Sequence, residues 1–181
     1  SDHFRPYVFV SDDYGKSWKS IAAQLPYEPV NVIREDPSSP DILFIGTDNG
    51  LYTSLDRGQH WMTMNGNLPR VAIHDLVIQE REEEIVLGTH GRSIYIASLA
   101  EIHKLNDSII NAGVKIIQKN DLNFSESWGK KSDEFSKPHE PATDMCYFTT
   151  SKGITSVVLK SKAGIKLVSL NDTAEYGLNY V

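Results

Sequence analysis

The stretches SDDYGKSW, residues 11–18, and SLDRGQHW, residues 54–61, share the pattern Ser-x-Asp-x-Gly-x-x-Trp and begin 43 residues apart. We call them box 1 and box 2. In both copies the Trp is followed eight residues later by the proline of a Leu-Pro pair, Pro26 in one copy and Pro69 in the other. A complex pattern that recurs at a fixed interval indicates a repeated structural unit.

Three short apolar segments follow each Leu-Pro pair. In the first copy they are VNVIRE at 30–35, DILFIGT at 41–47 and LYTS at 51–54. In the second copy they are AIHDLVIQ at 72–79, EEIVLGT at 83–89 and SIYIAS at 93–98. Their β-branched and aromatic residues, bounded by Gly, Pro, Asp and Asn, predict strands. A helix is the alternative for VNVIRE and DLVIQE.

Four short strands in each unit of about 40–50 residues are typical of the blades of a β-propeller. YVFVS at 7–11 precedes box 1 and fills the position that LYTS has before box 2, whereas the third copy, ASLAEIHK, carries no box. Residues 1–98 are therefore interpreted as half a unit, one full unit, and one unit that lacks its box and fourth strand. Two and a half blades do not close a ring, so we expect the remaining blades or a self-associated copy as partner.

Each box is expected to stabilise a hairpin turn. An Asp carboxylate accepts backbone N–H groups of its own turn, a Gly adopts a positive φ without steric penalty, and a Trp buries a large side chain in the hydrophobic layer. An Asp saturated in this way is a poor acid, base or nucleophile. The predicted scaffold residues are Ser11, Asp13, Gly15, Trp18, Ser54, Asp56, Gly58 and Trp61.

Both boxes resemble the Asp-box, or bacterial neuraminidase repeat. The stretch VNVIREDPSSPDILFIGTDNGLYTSLDRGQHW resembles blades of bacterial sortilin-like and xyloglucanase-like propellers, and LVIQEREEEIVLGTHGRSIYI resembles the last blade before their C-terminal domain. The resemblance implies a secreted, periplasmic or cell-surface bacterial protein. It does not select a function, because sialidases, xyloglucanases, sortilin-type receptors and photosystem assembly factors share the box.

The remaining residues are organised differently. Residues 99–122 are predicted to be a linker with a short helix, because apolar residues recur at helical spacing. Residues 123–181 read as strands joined by turns at 151–153 and 163–164, and they resemble the Ig-like or fibronectin-like sandwich of the hook-capping type that follows such propellers. In that resemblance the last strand runs on beyond Val181, so we expect an all-β chain that is truncated at both ends.

Composition excludes several classes of function. The net charge of -6 and a pI near 5.5 argue against nucleic acid as a partner. The single cysteine, Cys146, excludes an internal disulfide and a cysteine-based zinc site, and we expect it to be an inert, buried residue. The chain carries no apolar run long enough for a membrane span. Ser1-Asp2-His3-Phe4 lacks the basic start and apolar stretch of a signal peptide, which we expect to lie upstream. We expect no cofactor.

Four polar residues are candidates for a site. Asp75 lies in the middle of the strand expected to line the channel, where the preceding copy has Val32, and it is the weak candidate for a catalytic carboxylate. His90 and Arg92 flank Gly91 in a turn and suit a carboxylate or sugar hydroxyls, although capping of the hairpin is the alternative. His74 is the third candidate for ligand binding. We expect no metal, because His74 and Asp75 are adjacent and point to opposite faces of a strand.

Two functions therefore remain open. The first is a binding or scaffolding module for a carbohydrate or for a protein or peptide ligand, which is not catalytic by itself. The second is part of a glycoside hydrolase of the sialidase or xyloglucanase kind, whose active site would lie mostly upstream. Paired channel-facing acids, or an arginine triad with Tyr and Glu, would identify the hydrolase, and residues 1–98 present neither pattern.

Overall fold

A computed structural model of the chain describes residues 5–64, 68–105, 107–119, 125–139 and 145–181. The chain divides into two compact units, Ser1–His103 and Lys104–Val181, which we treat separately. Antiparallel sheets make up most of the described structure of both units, and the helices are short. The all-β class expected from the sequence is confirmed.

Unit 1 is built from three antiparallel sheets that follow one another along the chain. The first sheet contains β1 (Phe9–Val10) and β2 (Lys19–Ser20). The middle sheet contains β3 (Val30–Asp36), β4 (Ser39–Thr47), β5 (Leu51–Ser54) and β6 (Met62–Thr63). The last sheet contains β7 (Ile73–Gln79), β8 (Glu84–Thr89) and β9 (Ile94–Ser98), and helix α1 (Ala100–His103) follows it.

The register of the strands shows that the middle and last sheets are structural copies. In the middle sheet Val30 pairs with Thr47, and a bulge precedes the pairing of Val32 with Gly46. In the last sheet Ile73 pairs with Thr89, and a bulge precedes the pairing of Asp75 with Gly88. The same irregularity at the same place makes the two hairpins equivalent. VNVIRE and DLVIQE are strands, so the helical alternative is wrong.

The middle sheet is packed on both of its faces. On one face a hydrophobic cluster links it to the first sheet; its buried members are Val8, Ile21, Ala22, Leu25, Ile45 and Trp61. On the other face the last sheet approaches so closely that a Cβ added at Gly46 would lie 2.7 Å from Cγ2 of Ile73. Only the absence of a side chain at Gly46 permits that approach.

Unit 2 contains helix α2 (Asp107–Asn111) and five strands among its described residues. The strands are β10 (Val114–Lys119), β11 (Met145–Thr149), β12 (Gly153–Lys160), β13 (Lys166–Ala174) and β14 (Gly177–Tyr180). They form a β10-β11-β14 sheet and a β12-β13 hairpin. Cys146 and its neighbours on β11 are buried. Parts of the polar stretch after residue 119 lie outside the described residues.

The segment 99–122, expected to be a linker with a short helix, differs in part from that expectation. It contains α1 at the end of unit 1, and α2 and strand β10 in unit 2. Val114 and Ile116 of β10 are both exposed, and the strand is defined by its pairing with β11.

Candidate functional site

Box 1 is a closed network of hydrogen bonds. Ser11 Oγ donates to Asp13 Oδ1 at 2.9 Å and accepts the Gly15 N–H at 2.7 Å. The Asp13 carboxylate also accepts the Ser17 N–H at 2.8 Å and the Ser17 hydroxyl at 2.7 Å. The side chains of Ser11 and Asp13 thus replace the partners that the backbone of a tight turn lacks.

Box 2 repeats this network atom by atom. Ser54 Oγ donates to Asp56 Oδ1 and accepts the Gly58 N–H, both at 2.8 Å. Asp56 Oδ1 accepts the His60 N–H at 2.8 Å, and the His60 ring Nδ1 meets Asp56 Oδ2 at 2.5 Å, in the place of the Ser17 hydroxyl. The two boxes therefore have one local geometry.

The backbone of the two turns also agrees. Tyr14 and Gly15 have φ angles of 58° and 83°, and Arg57 and Gly58 have 59° and 84°. Two consecutive residues in the left-handed region characterise the type I′ turn, whose twist suits a hairpin. The conserved spacing between Asp and Gly in the two boxes follows from this geometry.

The acidity of the two Asp residues agrees with a scaffold role. Hydrogen bonds from the Ser17 side chain and backbone lower the pKa of Asp13 to about 2. At Asp56 burial acts to raise the pKa, but the bonds from His60 and Ser54 outweigh it, so that the pKa is lowered. Both carboxylates are ionised at neutral pH and their oxygens are engaged, which leaves neither suited to acid or base catalysis.

The two tryptophans differ, and here the expectation for Trp18 is wrong. Trp61 is 6% exposed, and its Nε1 donates to the Ile21 carbonyl at 2.7 Å. Trp18 is 64% exposed. The neighbouring structure explains the difference. Trp61 packs against the first sheet, which comes before it in the sequence. Among the described residues no sheet comes before Trp18 that could cover it in the same way. The box itself does not bury its tryptophan.

Asp75 lies in an ion pair between the first strands of two sheets. Its Oδ1 accepts a hydrogen bond from Nη2 of Arg34 on β3 at 3.0 Å and also the Leu76 N–H at 2.9 Å. Both charged side chains are largely exposed to solvent. Arg34 was not singled out from the sequence, and the only available signal was that both residues interrupt apolar strands. A salt-bridged, exposed carboxylate is a poor candidate for a general acid.

His74 and His90 come together at one corner of the last sheet. Their ring centroids lie 5.2 Å apart, and the His90 N–H donates to the Ala72 carbonyl at 2.9 Å. The equivalent corner of the middle sheet holds a hydrogen bond of 3.0 Å from Asn31 Nδ2 to Asp48 Oδ1. In each sheet the corner is thus formed by one side chain of the first strand, Asn31 or His74, and one side chain that follows the second strand, Asp48 or His90.

Arg92 lies in the same turn as His90, and the side chains of both are exposed. Gly91 and Ser93 have φ angles of 75° and 76°, and the Thr89 hydroxyl donates to the Ser93 carbonyl at 2.5 Å. The turn is therefore closed by Thr89 and the backbone. This leaves the side chains of His90 and Arg92 available at the surface.

A buried carboxylate closes the corresponding turn of the middle sheet. Glu28 is buried, and it accepts hydrogen bonds from Thr47 Oγ1 at 3.0 Å, from Tyr52 Oη at 3.1 Å and from the Asn49 side-chain amide. Burial and the nearby Glu28 charge raise the pKa of Tyr52 to about 12. Nothing in the sequence around Glu28 distinguished it. Its counterpart in the next copy is Val71, so the last sheet lacks this buried carboxylate and its hydrogen bonds.

His103 joins the tips of two hairpins. Its Nε2 lies 2.9 Å from Oδ2 of the buried Asp36, and its Nδ1 lies 3.0 Å from Oε1 of Glu83. Two carboxylate acceptors require both ring nitrogens to carry protons. Burial acts to lower the pKa of His103, but the bonds to Asp36 and Glu83 outweigh it and raise the pKa. This bridge was not predicted, since its three residues lie far apart in the sequence.

The part of the chain that the structure describes contains no group of three or more His, Cys, Asp or Glu residues arranged to hold a metal ion. None of the described helices is both long and apolar enough to cross a bilayer. No family model, curated protein or solved structure matches the chain.

Proposed function

We propose that the chain is part of an Asp-box β-propeller and that it serves as a ligand-binding and scaffolding module without catalysis of its own. The observation that carries the proposal is the corner formed by His74 and His90, with the exposed Arg92 in the same turn. These side chains are free of the turn-closing role that engages Asp13 and Asp56. They offer donors and positive charge to a carboxylate or to sugar hydroxyls.

The propeller is supported by the order of the sheets. Units of antiparallel strands follow one another, neighbouring sheets pack face to face, and the first strands β3 and β7 are joined by the Arg34–Asp75 ion pair. In a propeller these would be the innermost strands, which line the channel. The Asn31–Asp48 and His74–His90 corners would then lie on one rim of that channel. Ligand sites of closed β architectures are commonly found at such openings.

The alternative, a glycoside hydrolase, receives less support from the contacts. Two carboxyl groups about 5–10 Å apart are needed on either side of a glycosidic bond. Asp75 is bound to Arg34. The nearest candidates by position are Glu35, which is exposed, and Asp36, which is buried against Ser38 and His103. Asp75 and Asp36 are thus held by other partners and are not arranged to protonate a leaving group. We therefore propose that the module binds its ligand and does not cleave it.

Location and the role of unit 2 belong to the same proposal. Secreted, periplasmic or cell-surface location follows from the resemblance to bacterial sortilin-like propellers. For unit 2 we propose an Ig-like sandwich that spaces or anchors the propeller. Strand β11 is buried on both of its faces, with Tyr147 on one and Phe148 on the other, and supplies the beginning of such a core.

Binding is tested with a panel of immobilised sialosides, xyloglucan oligosaccharides and acidic peptides. We expect a hit whose affinity falls at least tenfold in the double variant His90→Ala/Arg92→Ala. Arg81→Ala is the matched control, since Arg81 is an exposed arginine in another turn of the same sheet, paired with its neighbour Glu82. A hit that responds equally to both variants would mean that binding occurs elsewhere.

The absence of catalysis is tested with fluorogenic sialoside and β-glucoside substrates and with xyloglucan. We expect no turnover above the background of a heat-denatured sample. Turnover that disappears in Asp75→Asn would contradict the proposal and would support the hydrolase. Asp41→Asn, a change at an exposed Asp at the start of β4, controls for loss of surface charge.

A further inference from the structure

One face of the last sheet is apolar and exposed, whereas the equivalent face of the middle sheet is buried. In the middle sheet Phe44 pairs with Thr53, and Leu51 is the neighbour two residues before Thr53; all three are at most 2% exposed. In the last sheet Val86 pairs with Ile96, and Ile94 stands in the place of Leu51.

Exposure of the equivalent residues in the last sheet is high. Ile94 and Ile96 are 68% and 62% exposed, and Val77, which pairs with Val86, is also exposed. We call the surface of Val77, Val86, Ile94 and Ile96 the tail face. Adjacent exposed apolar residues on one sheet face are a feature of interaction surfaces rather than of a solvated blade.

The two equivalent glycines give the same contrast. A Cβ at Gly46 would collide with Ile73 of the covering sheet, whose Cγ2 lies 2.7 Å away. At Gly88 the nearest atoms are the carbonyl oxygen and Cβ of its own pairing partner Asp75, at 3.6 and 3.9 Å. The tail face therefore has a slot, at Gly88, of the kind that a side chain of the next sheet fills at Gly46.

The first sheet, at the opposite end of unit 1, also exposes aromatic residues whose equivalents in the middle sheet are covered. Tyr52 and Trp61 of the middle sheet pack against the first sheet. Their counterparts 43 residues earlier are Phe9 and Trp18, which are both exposed. We call the surface of Phe9 and Trp18 the head face. Unit 1 has two junctions between neighbouring sheets among its described residues. At each junction the later sheet places the face equivalent to the head face against the face of the earlier sheet that is equivalent to the tail face.

We propose that the tail face of one copy of this chain is the docking surface for the head face of a second copy. The inference rests on the equivalence of the sheets and is independent of the ligand function proposed above. The β9 edge adds a reason, because within the described parts of the chain β9 is paired with β8 alone and presents carbonyl groups on its outer side. One of these can accept the Trp18 Nε1–H, as the Ile21 carbonyl accepts that of Trp61.

Such an interface is heterologous, because two different surfaces meet. A heterologous contact leaves a free head at one end and a free tail at the other, so that copies add until the rotation closes a ring. This property separates the proposal from a symmetric dimer, in which one surface would bind its own equivalent.

The test uses the full chain and measures its mass by light scattering after gel filtration over a range of concentrations. We expect wild-type assemblies larger than a monomer. Ile96→Glu destroys the tail face, and Trp18→Glu destroys the head face, so each variant alone should be monomeric. Both sites are exposed, and circular dichroism should show that both variants remain folded. Val168→Glu, on the exposed surface of β13, is the control and should assemble like wild type.

Mixing the two variants gives the decisive measurement. Each retains one intact face, so an equimolar mixture of Ile96→Glu and Trp18→Glu should form a heterodimer and nothing larger. A wild-type chain that is monomeric at all concentrations would overturn the proposal, since another occupant would then have to cover the tail face. Assembly that persists in Ile96→Glu, or that is lost in Val168→Glu, would overturn it as well, as would a mixture that stays monomeric.

Discussion

Box 1 and box 2 have the same turn and different surroundings. Three equivalent bonds of their Ser–Asp–Gly networks, from Ser Oγ to Asp Oδ1, from the Gly N–H to Ser Oγ and from the backbone N–H of Ser17 or His60 to Asp Oδ1, agree within 0.1 Å. The φ angles of Gly15 and Gly58 differ by one degree. Yet Trp61 is buried against Ile21, and Trp18 is exposed. Box 2 therefore joins two sheets, while box 1 only shapes its own hairpin. Local sequence determines the turn, and the presence of a neighbouring sheet determines what the turn contributes to stability.

The largest difference between the boxes should come from the tryptophans. Trp61→Ala removes a buried ring and its hydrogen bond, so we expect the free energy of unfolding to fall by about 3–5 kcal/mol. Trp18→Ala should change it by no more than about 0.5 kcal/mol, as for other exposed positions. Urea unfolding at a concentration where the chain is monomeric measures both. Equal losses would mean that Trp18 is covered within the monomer.

The glycines should give the next largest difference. Either Gly→Ala change places a side chain at positive φ, which costs about 1–2 kcal/mol. At Gly58 the new Cβ would also lie 2.7 Å from Cδ1 of Ile21, whereas at Gly15 the nearest atom is a Trp18 ring carbon at 3.6 Å. Overpacking should then add about 1–3 kcal/mol at Gly58 only.

The same unfolding measurement distinguishes the two contributions at Gly58. The double variant Gly58→Ala/Ile21→Ala should recover the overpacking part relative to Ile21→Ala alone, because the colliding side chain is gone. A Gly58→Ala loss that is equal to that of Gly15→Ala would show that the first sheet adapts to box 2 without strain.

A smaller effect is expected at the box carboxylate. Asp56→Ala leaves the partly buried donors of Ser54 and His60 without their acceptor, and we expect a loss of about 1–3 kcal/mol in the free energy of unfolding. Asp56→Asn keeps one acceptor oxygen and should lose less. Asp13→Ala acts at an exposed turn and should be milder than Asp56→Ala. Ligand binding by the folded fraction should not change, and its loss at full stability would contradict the scaffold role.

The smallest effect should be the pH dependence of the His103 bridge, which joins the middle and last sheets without a box. The pKa of His103 is raised above 6.5, so its contribution is complete below pH 6.5 and is lost as the pH rises through the folded value. At Asp36 burial opposes the bonds from Ser38 and His103, and the pKa is lowered below 3.8. The Asp36 contribution is present above that value and is lost as the pH falls.

Thermal unfolding between pH 2 and pH 9 measures both parts of this dependence. We expect the melting temperature to fall on the alkaline side in the wild type and to fall less in His103→Gln, which cannot carry the second ring proton. His60→Gln is the control, because His60 is a histidine that bonds to a carboxylate within box 2. A parallel pH profile for wild type and His103→Gln would show that the bridge contributes no pH-dependent stability.

Much of unit 1 was predictable because its signals are local. Apolar segments rich in β-branched and aromatic residues placed β3, β4, β5, β7, β8 and β9, and the Asp and Gly residues of each box placed the turns. Strand β10 was missed because the segment 99–122 was assigned from the helical spacing of its first apolar residues, whereas β10 is defined by pairing with β11, which lies far along the chain. Of the site candidates, His74 and His90 were named separately from the sequence, but their meeting at one corner was not predicted.

The sequence by itself determined the repeat and, within each box, the positive φ of the Gly and the acceptor role of Asp13 and Asp56, since the contacts within a box join residues at most four positions apart. Only the tertiary structure decided which tryptophan is buried, that Arg34 neutralises Asp75, and that His103 bridges Asp36 and Glu83. These contacts span between 20 and 67 residues. Their partners are brought together by the packing of one sheet on the next, which local propensity does not encode.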